Sequence, residues 1–237
     1  MSHQLTPEEQ FSELKEFFAK TWKIMVAVIV IGLLAFYGWR YWQSYKVDKS
    51  IESSDRYEQL IAKLDNSKPD SVNELVAFAK NDDTIYSVFA SFNAAKFYVE
   101  VLKDYAGAQV LLTDSLKKTD AGPVKAIAYI RIARLQYQQE QYQDSLTSLS
   151  KVSEKSWMTI VNDLRGDIFL KMARYSDAVD AYNLALASSS TNDLKTNIKI
   201  KLNEAQYLKA KQEEQAIKDK AEKESQENKA VTEERKN

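Results

Sequence analysis

The sequence predicts an all-α protein, a single N-terminal transmembrane helix followed by an α-solenoid of helical hairpins. Three observations carry this. One charge-free apolar run, residues 24–39 (IMVAVIVIGLLAFYGW), stands near the N-terminus and nothing later resembles it. Only five glycines and three prolines interrupt the chain, so helical periodicity dominates and no stretch alternates as a strand would. Tyrosine recurs at 105, 142 and 175, and three positions after each comes a small residue, Ala108, Ser145 and Ala178. That period is the mark of stacked helix pairs.

Residues 1–22 read as a short tail with an amphipathic helix. Thr6 caps it, Pro7 suits the first helical position and Glu9 completes a capping box. Phe11, Leu14, Phe17 and Phe18 then share one face. Two readings of that face stand level, a stripe resting on the membrane surface and a plain helical lead-in.

Residues 23–42 form the span, with Ile24, Val28, Ile31, Leu34 and Trp39 along it. The run 24–39 rises about 24 Å as a helix and Trp22 to Trp42 rises about 31 Å, against a hydrocarbon core about 30 Å thick. It crosses if Lys23 and Arg40 extend their charges outward. Trp22 stands at one end and Phe36, Tyr37, Trp39, Tyr41, Trp42 and Tyr45 crowd the other, a girdle suited to headgroups that a buried core helix does not need. Glutamates in the lead-in and the bulky exit argue for an uncleaved signal anchor over a cleaved signal peptide. Charge leaves the orientation open, because Lys15, Lys20 and Lys23 on one side balance Arg40, Lys46 and Lys49 on the other.

Residues 43–208 carry the helix pairs. The first helix continues past Arg40 with Tyr57, Leu60, Ile61 and Leu64 as its packing face and breaks at residues 66–70. Pro69 and a Ser71-x-x-Glu74 box start a short helix through Phe78. Residues 81–84 separate it from a helix over 85–103; Gly122-Pro123 opens one over 123–139, Ser156 one over 157–172, and Thr191-Asn192-Asp193 the last. That last helix keeps an apolar stripe of Leu194, Ile198, Leu202, Ala205 and Leu208. From Lys209 to the end, residues 209–237, charges balance and large apolar residues thin out, which reads as a solvated helix or disorder.

Composition bears on function by exclusion. Net charge is −1, Lys and Arg are dispersed, and there is no P-loop or GxGxxG, so nucleic-acid binding is not expected. With no cysteine and one histidine, His3, the chain lacks the parts for a cysteine nucleophile, a Ser-His-Asp triad or a zinc site. Asp82-Asp83 reads as a helix stop and cap rather than a metal pair. No catalytic residue, cofactor or metal is expected.

The stretch LRGDIFLKMARYSDAVDAYNLAL resembles the tetratricopeptide repeat, a helix pair of about 34 residues. Gly166 falls at the small position of its first helix and Ala178 at that of its second; Tyr182, Ala185 and Leu186 fit its ending. A second copy matches more weakly at Ala133, Tyr142 and Ser145, and the first carries an extra residue before its turn. Two short helices cannot bury their own apolar faces, so these signature positions are core and pairs must stack. A binding groove then comes from other positions of the first helices. In the second pair these are Ile127, Ile130, Arg134, Tyr137 and Gln138; in the third, Ile160, Asp163, Asp167, Leu170 and Lys171.

The lead-in EEQFSELKEFFAKTWK, the exit GWRYWQSYKVDKS and the repeats behind them together resemble the YfgM family of Gram-negative bacteria, over about residues 5–208. The resemblance implies an ancillary subunit of the SecYEG translocon, single-pass in the inner membrane, with the N-terminus cytoplasmic and the repeat domain periplasmic. It implies association with the membrane-anchored chaperone PpiD and transfer of exported, unfolded proteins to periplasmic chaperones. It supplies no catalytic motif and says nothing of the tail. A repeat scaffold holding one fixed partner in envelope assembly or division is the alternative reading.

Overall fold

The computed structural model describes residues 7–234, with side chains over residues 15–224 and at Ser12. Thr6, His3 and the side chains of Phe11 and Leu14 lie outside the described residues. The chain divides into two compact units, Met1–Arg56 and Tyr57–Asn237. The helices are α1 (Pro7–Ala62), α2 (Asn73–Asn81), α3 (Ile85–Phe97), α4 (Tyr105–Ser115), α5 (Gly122–Gln138), α6 (Tyr142–Ser150), α7 (Met158–Lys171), α8 (Tyr175–Ser188) and α9 (Asn192–Glu234), with no strand among the described residues.

In the first unit the described residues form helix α1 as far as Arg56, unbroken through the expected limits at residues 22 and 42. It is long and apolar enough to cross a membrane, and none of its apolar window is buried. Ile24, Val28, Ile31, Leu34 and Trp39 are each at least 59% exposed. Apolar side chains left open on every side of a helix are what a lipid phase covers and a protein core does not.

In the second unit, helices pack against their neighbours in order. α3, α5, α7 and α9 are the first, or A, helices of successive pairs; α4, α6 and α8 are the B helices. The core falls into three clusters that share A helices. α5 gives Ala128, Ile132 and Leu135 to the first cluster and Ala126, Ile130 and Ala133 to the second. α7 gives Val161, Leu164 and Ile168 to the second and Phe169 to the third. A helix wedged between two neighbours must be apolar on more than one stripe, which is the one-dimensional logic of a solenoid. The small residues after each tyrosine, Ala108, Ser145 and Ala178, are all 0% exposed.

The three A-to-B turns are built alike. Lys103, Glu140 and Ala173 each take a left-handed φ, 55°, 61° and 55°. In the second and third turns this closes a Schellman motif: Gln141 N–H donates to Gln136 O (2.8 Å) and Arg174 N–H to Phe169 O (2.9 Å). In the first, Asp104 N–H reaches one residue further back, to Tyr98 O (3.0 Å). The extra residue is absorbed in a π-helical turn, Tyr98–Leu102, the usual way an inserted residue is held without breaking a helix.

Four expectations need correction. Ser71 does not cap the short helix with Glu74: its hydroxyl accepts from Asp65 N–H (3.0 Å) and donates to Asp65 O (3.2 Å), while Glu74 pairs with Lys63 (3.0 Å). The side chain stitches the preceding loop instead, and α2 follows a 3₁₀ turn, Pro69–Val72, and runs on to Asn81. Ser156 likewise sits inside a 3₁₀ turn, Lys155–Trp157, not at a cap. Leu194, placed on the apolar stripe of the last helix, is left 44% exposed. The Asp82-Asp83 stop holds: Asp82 ends α2 and its Oδ1 accepts from Thr84 N–H (2.8 Å) and from the Thr84 hydroxyl. Lys118 completes this end, donating to the carbonyls of Ala79 (2.7 Å), Lys80 (2.8 Å) and Asp82 (2.8 Å), a cation on orphan carbonyls at a helix C-terminus.

Candidate functional site: the A-helix face

The residues expected to line a groove fall into three groups. Arg134, Gln138 and Lys171 are exposed; Ile127, Tyr137, Ile160, Asp163, Asp167 and Leu170 are half-buried. Ile130 is 4% exposed and belongs to the second core cluster, so it offers nothing to a partner. The error is one of register. With α5 packed on both sides, the strip left open narrows to Arg131, Arg134 and Gln138, spaced i, i+3 and i+7 along one face. Arg131 was missed because a lone arginine between isoleucines reads as ordinary helix surface.

Two of the expected aspartates are already engaged. Lys201 on α9 donates to both carboxylate oxygens of Asp163 (2.9 and 3.0 Å) and to Asp167 (2.8 Å), both on α7. Asp167 also accepts from the Tyr182 hydroxyl (2.8 Å). Tyr182 is 0% exposed and lies against Gly166, where a Cβ would meet its ring at 2.3 Å. Burial pushes the Tyr182 phenol far up, and the hydrogen bond to Asp167 adds to this, so it stays a donor at every ordinary pH. Burial works against the charge on Lys201, but the hydrogen bonds to Asp167 and Asp163 outweigh it and hold its pKa above the usual lysine value. Burial, with Asp167 nearby, raises the Asp163 carboxyl in spite of the bonds from Lys201. This cluster fastens α9 to α7; it is architecture, found only once residues 34 and 38 positions apart are brought together.

The open part of the face lies between α3 and α5. A cavity of about 420 Å³ lies between α2 and α4, against Val76, Tyr98 and Val110, and a smaller one of about 260 Å³ opens here. Its floor is Phe92, Val99, Leu112 and Leu135; its rim is Lys96, Glu100, Arg131 and Arg134. The π turn supplies Val99 and Glu100. Arg131 stacks over the Phe92 ring (4.7 Å) and donates to Phe92 O (3.5 Å). Burial, then the neighbouring Arg134, lowers its pKa. Among the described residues no group of three or more His, Cys, Asp or Glu could hold a metal ion. An apolar floor under a charged rim is an arrangement that can take an apolar side chain with polar groups beside it.

The chain matches the model of the tetratricopeptide repeat-like domain over residues 15–207. It is 30% identical over 195 residues to the ancillary SecYEG translocon subunit of Escherichia coli (strain K12), covering 82% of this chain and 94% of that protein. It is 27% identical over 204 residues to the protein of the same name in Aggregatibacter actinomycetemcomitans, covering 86% and 99%. Among solved structures, MamA 41-end from Desulfovibrio magneticus RS-1 aligns with a TM-score of 0.47 at 14% identity, over 70% of this chain and 97% of that one. A helix-pair solenoid behind one exposed apolar helix, colinear with the two translocon subunits over nearly their whole length, places the chain in the tetratricopeptide repeat-like family of ancillary SecYEG translocon subunits, the YfgM family.

Proposed function

We propose that this protein is a non-catalytic, single-pass inner-membrane subunit associated with the SecYEG translocon. Its N-terminus is cytoplasmic, residues 23–42 span the bilayer as an uncleaved signal anchor, and the helix-pair unit is periplasmic. There the A-helix face holds segments of newly exported, still unfolded protein and passes them to periplasmic chaperones, PpiD among its partners. The observation that supports this most is the colinearity with translocon subunits over 94% of the length of one of them, in a chain whose first helix carries an apolar window that is entirely unburied. A tether raises the local concentration of the repeat unit beside its substrate, so a weak and quickly released contact suffices.

Photocrosslinkers placed at Val28 and Leu34 in the span and at Arg134 and Lys171 on the A-helix face test this in intact membranes. Adducts with SecYEG from the span, and with exporting chains from the face, are expected. One stoichiometric partner from the face and no translocon adduct would replace this reading by the single-partner scaffold. Alkaline phosphatase fused after Lys209 is expected to be active; an inactive fusion would reverse the topology.

A further inference from the structure

Arg131 and Arg134 stand one helical turn apart on α5, and neither lies within 4.0 Å of a carboxylate among the described residues. Like charges so placed repel, and Arg131 shows it, its pKa lowered by burial and then by Arg134. Asp163 is the anion that Arg134 influences, and Lys201 already holds it at 2.9 Å. The acid on the rim, Glu100, lies 3.9 Å from Lys96. The pocket between α3 and α5 therefore carries two uncompensated guanidiniums over an apolar floor of Phe92, Val99, Leu112 and Leu135. Its volume, about 260 Å³, has room for a side chain rather than for a folded element. One wall is the π turn, Tyr98–Leu102, an irregularity that recurs at functional sites.

From this we infer that the α3–α5 pocket binds a protein segment in which a large apolar side chain is flanked by carboxylates. The apolar group enters over Phe92 and Leu135, and the flanking acids meet Arg134 and Arg131. Guanidinium forks match carboxylates two bonds at a time, so the site selects acidic-apolar segments and discriminates against basic ones. This deepens the reading of the A-helix face as a peptide-binding surface and rests on it.

The full-length chain in detergent micelles is titrated with short fluorescein-labelled peptides by anisotropy. Each carries one phenylalanine, flanked by glutamates, by glutamines or by lysines. The glutamate peptide is expected to bind about tenfold tighter than the glutamine one, and the lysine peptide weakest. R134Q, at an exposed position, and R131Q should each weaken the glutamate peptide about tenfold and leave the glutamine peptide unchanged. K155Q, in the exposed 3₁₀ turn before α7 and off this face, should change neither. Equal affinities for glutamate and glutamine peptides, or arginine variants that bind as the wild type does, overturn the inference. A photocrosslinker at Lys96 separates the two levels. If it captures peptides regardless of their charge, the groove stands and its anionic preference falls. If it captures none, while the membrane crosslinks from Arg134 and Lys171 also fail, the A-helix reading itself falls.

Discussion

The first and third hairpins each seat a tyrosine ring on a glycine, but they exchange the helices that supply the two. In the third, Gly166 on the A helix receives Tyr182 from the B helix; a Cβ there would lie 2.3 to 2.6 Å from three ring atoms. In the first, Gly107 on the B helix receives Tyr98 from the π turn that ends the A helix, at 2.8 Å. Both serve one need, close approach of two helices. The difference lies in what surrounds the ring. Tyr182 is fully buried and tied through Asp167 to Lys201; Tyr98 is half-buried and lines an open cavity. The third hairpin is thus a locked joint and the first a looser one.

Deletions should expose this most sharply. Removing the exposed Arg165 turns residues 166–171 by about 100° against the start of α7, and carries Gly166, Ile168 and Phe169 out of register together. Loss of the cooperative near-UV circular dichroism transition is expected. Removing Glu100 instead converts the π turn to α-helix and gives the first turn the bond pattern of the other two. The unfolding stability of this variant should change by no more than about 1 kcal/mol. Equal damage from the two deletions would mean that the π turn is not a held insertion.

Substituting the glycines is the next test. Gly166→Ala drives a methyl into a ring that cannot move, and should cost about 3 kcal/mol, the upper part of the overpacking range. Gly107→Ala meets the end of the Asp104 side chain at 2.3 Å and a ring free on one side, and should cost about 1 kcal/mol. Thermal unfolding of the two variants in micelles reads the gap directly.

This contrast also marks how far the sequence was legible. Positions 108, 145, 178 and 182 were readable because spacing along one helix reports which residues face its neighbour. The extra residue of the first pair was legible as a misfit, though not as a π turn. Ile130 was misassigned because periodicity cannot say that α5 has neighbours on both sides. Lys201 with Asp163 and Asp167, and Lys118 with the end of α2, were invisible because side chains 34 to 39 residues apart meet only in the fold. Ser71 and Ser156 show the converse limit: a residue suited to a cap is equally suited to a loop, and tertiary context chooses.

The lock on α9 should respond to base through Lys201 and to acid through its carboxylate partners. Lys201→Met takes the ammonium from half-buried Asp163 and leaves Asp167 with the Tyr182 hydroxyl alone, and should cost about 2 kcal/mol, the scale of hydrogen bonds to charged groups. The folded pKa of Lys201 is raised above the ordinary 10.5. Its contribution is therefore complete below 10.5 and is lost as pH rises through the higher folded value. The gap between wild type and K201M should hold through neutral pH and close above that point. Asp163 has the opposite sign: its raised pKa makes acidification through the carboxylate range favour the folded state at this site. The gap itself should also narrow on the acid side, because protonated carboxylates no longer need the ammonium; a gap that persisted above the folded pKa of Lys201 would refute the assignment of Lys201 as the group that matters.

The smallest effects belong to the three turns, where the comparison predicts likeness instead of difference. Lys103, Glu140 and Ala173 hold left-handed φ values within 6° of one another, and none is glycine. A side chain in that region costs about 1–2 kcal/mol, of which glycine's greater freedom in the unfolded chain takes back about 0.5–1. Each change to glycine should therefore stabilise by about 0.5 kcal/mol, and the three, being far apart, should add. The first turn is the critical one. Its backbone angle matches the others although its closing bond spans one more residue, so Lys103→Gly should gain as much as Ala173→Gly. A smaller gain at Lys103 would show that the π turn holds the following residue by strain, and the two hairpins would then differ in their turns as well as in their joints.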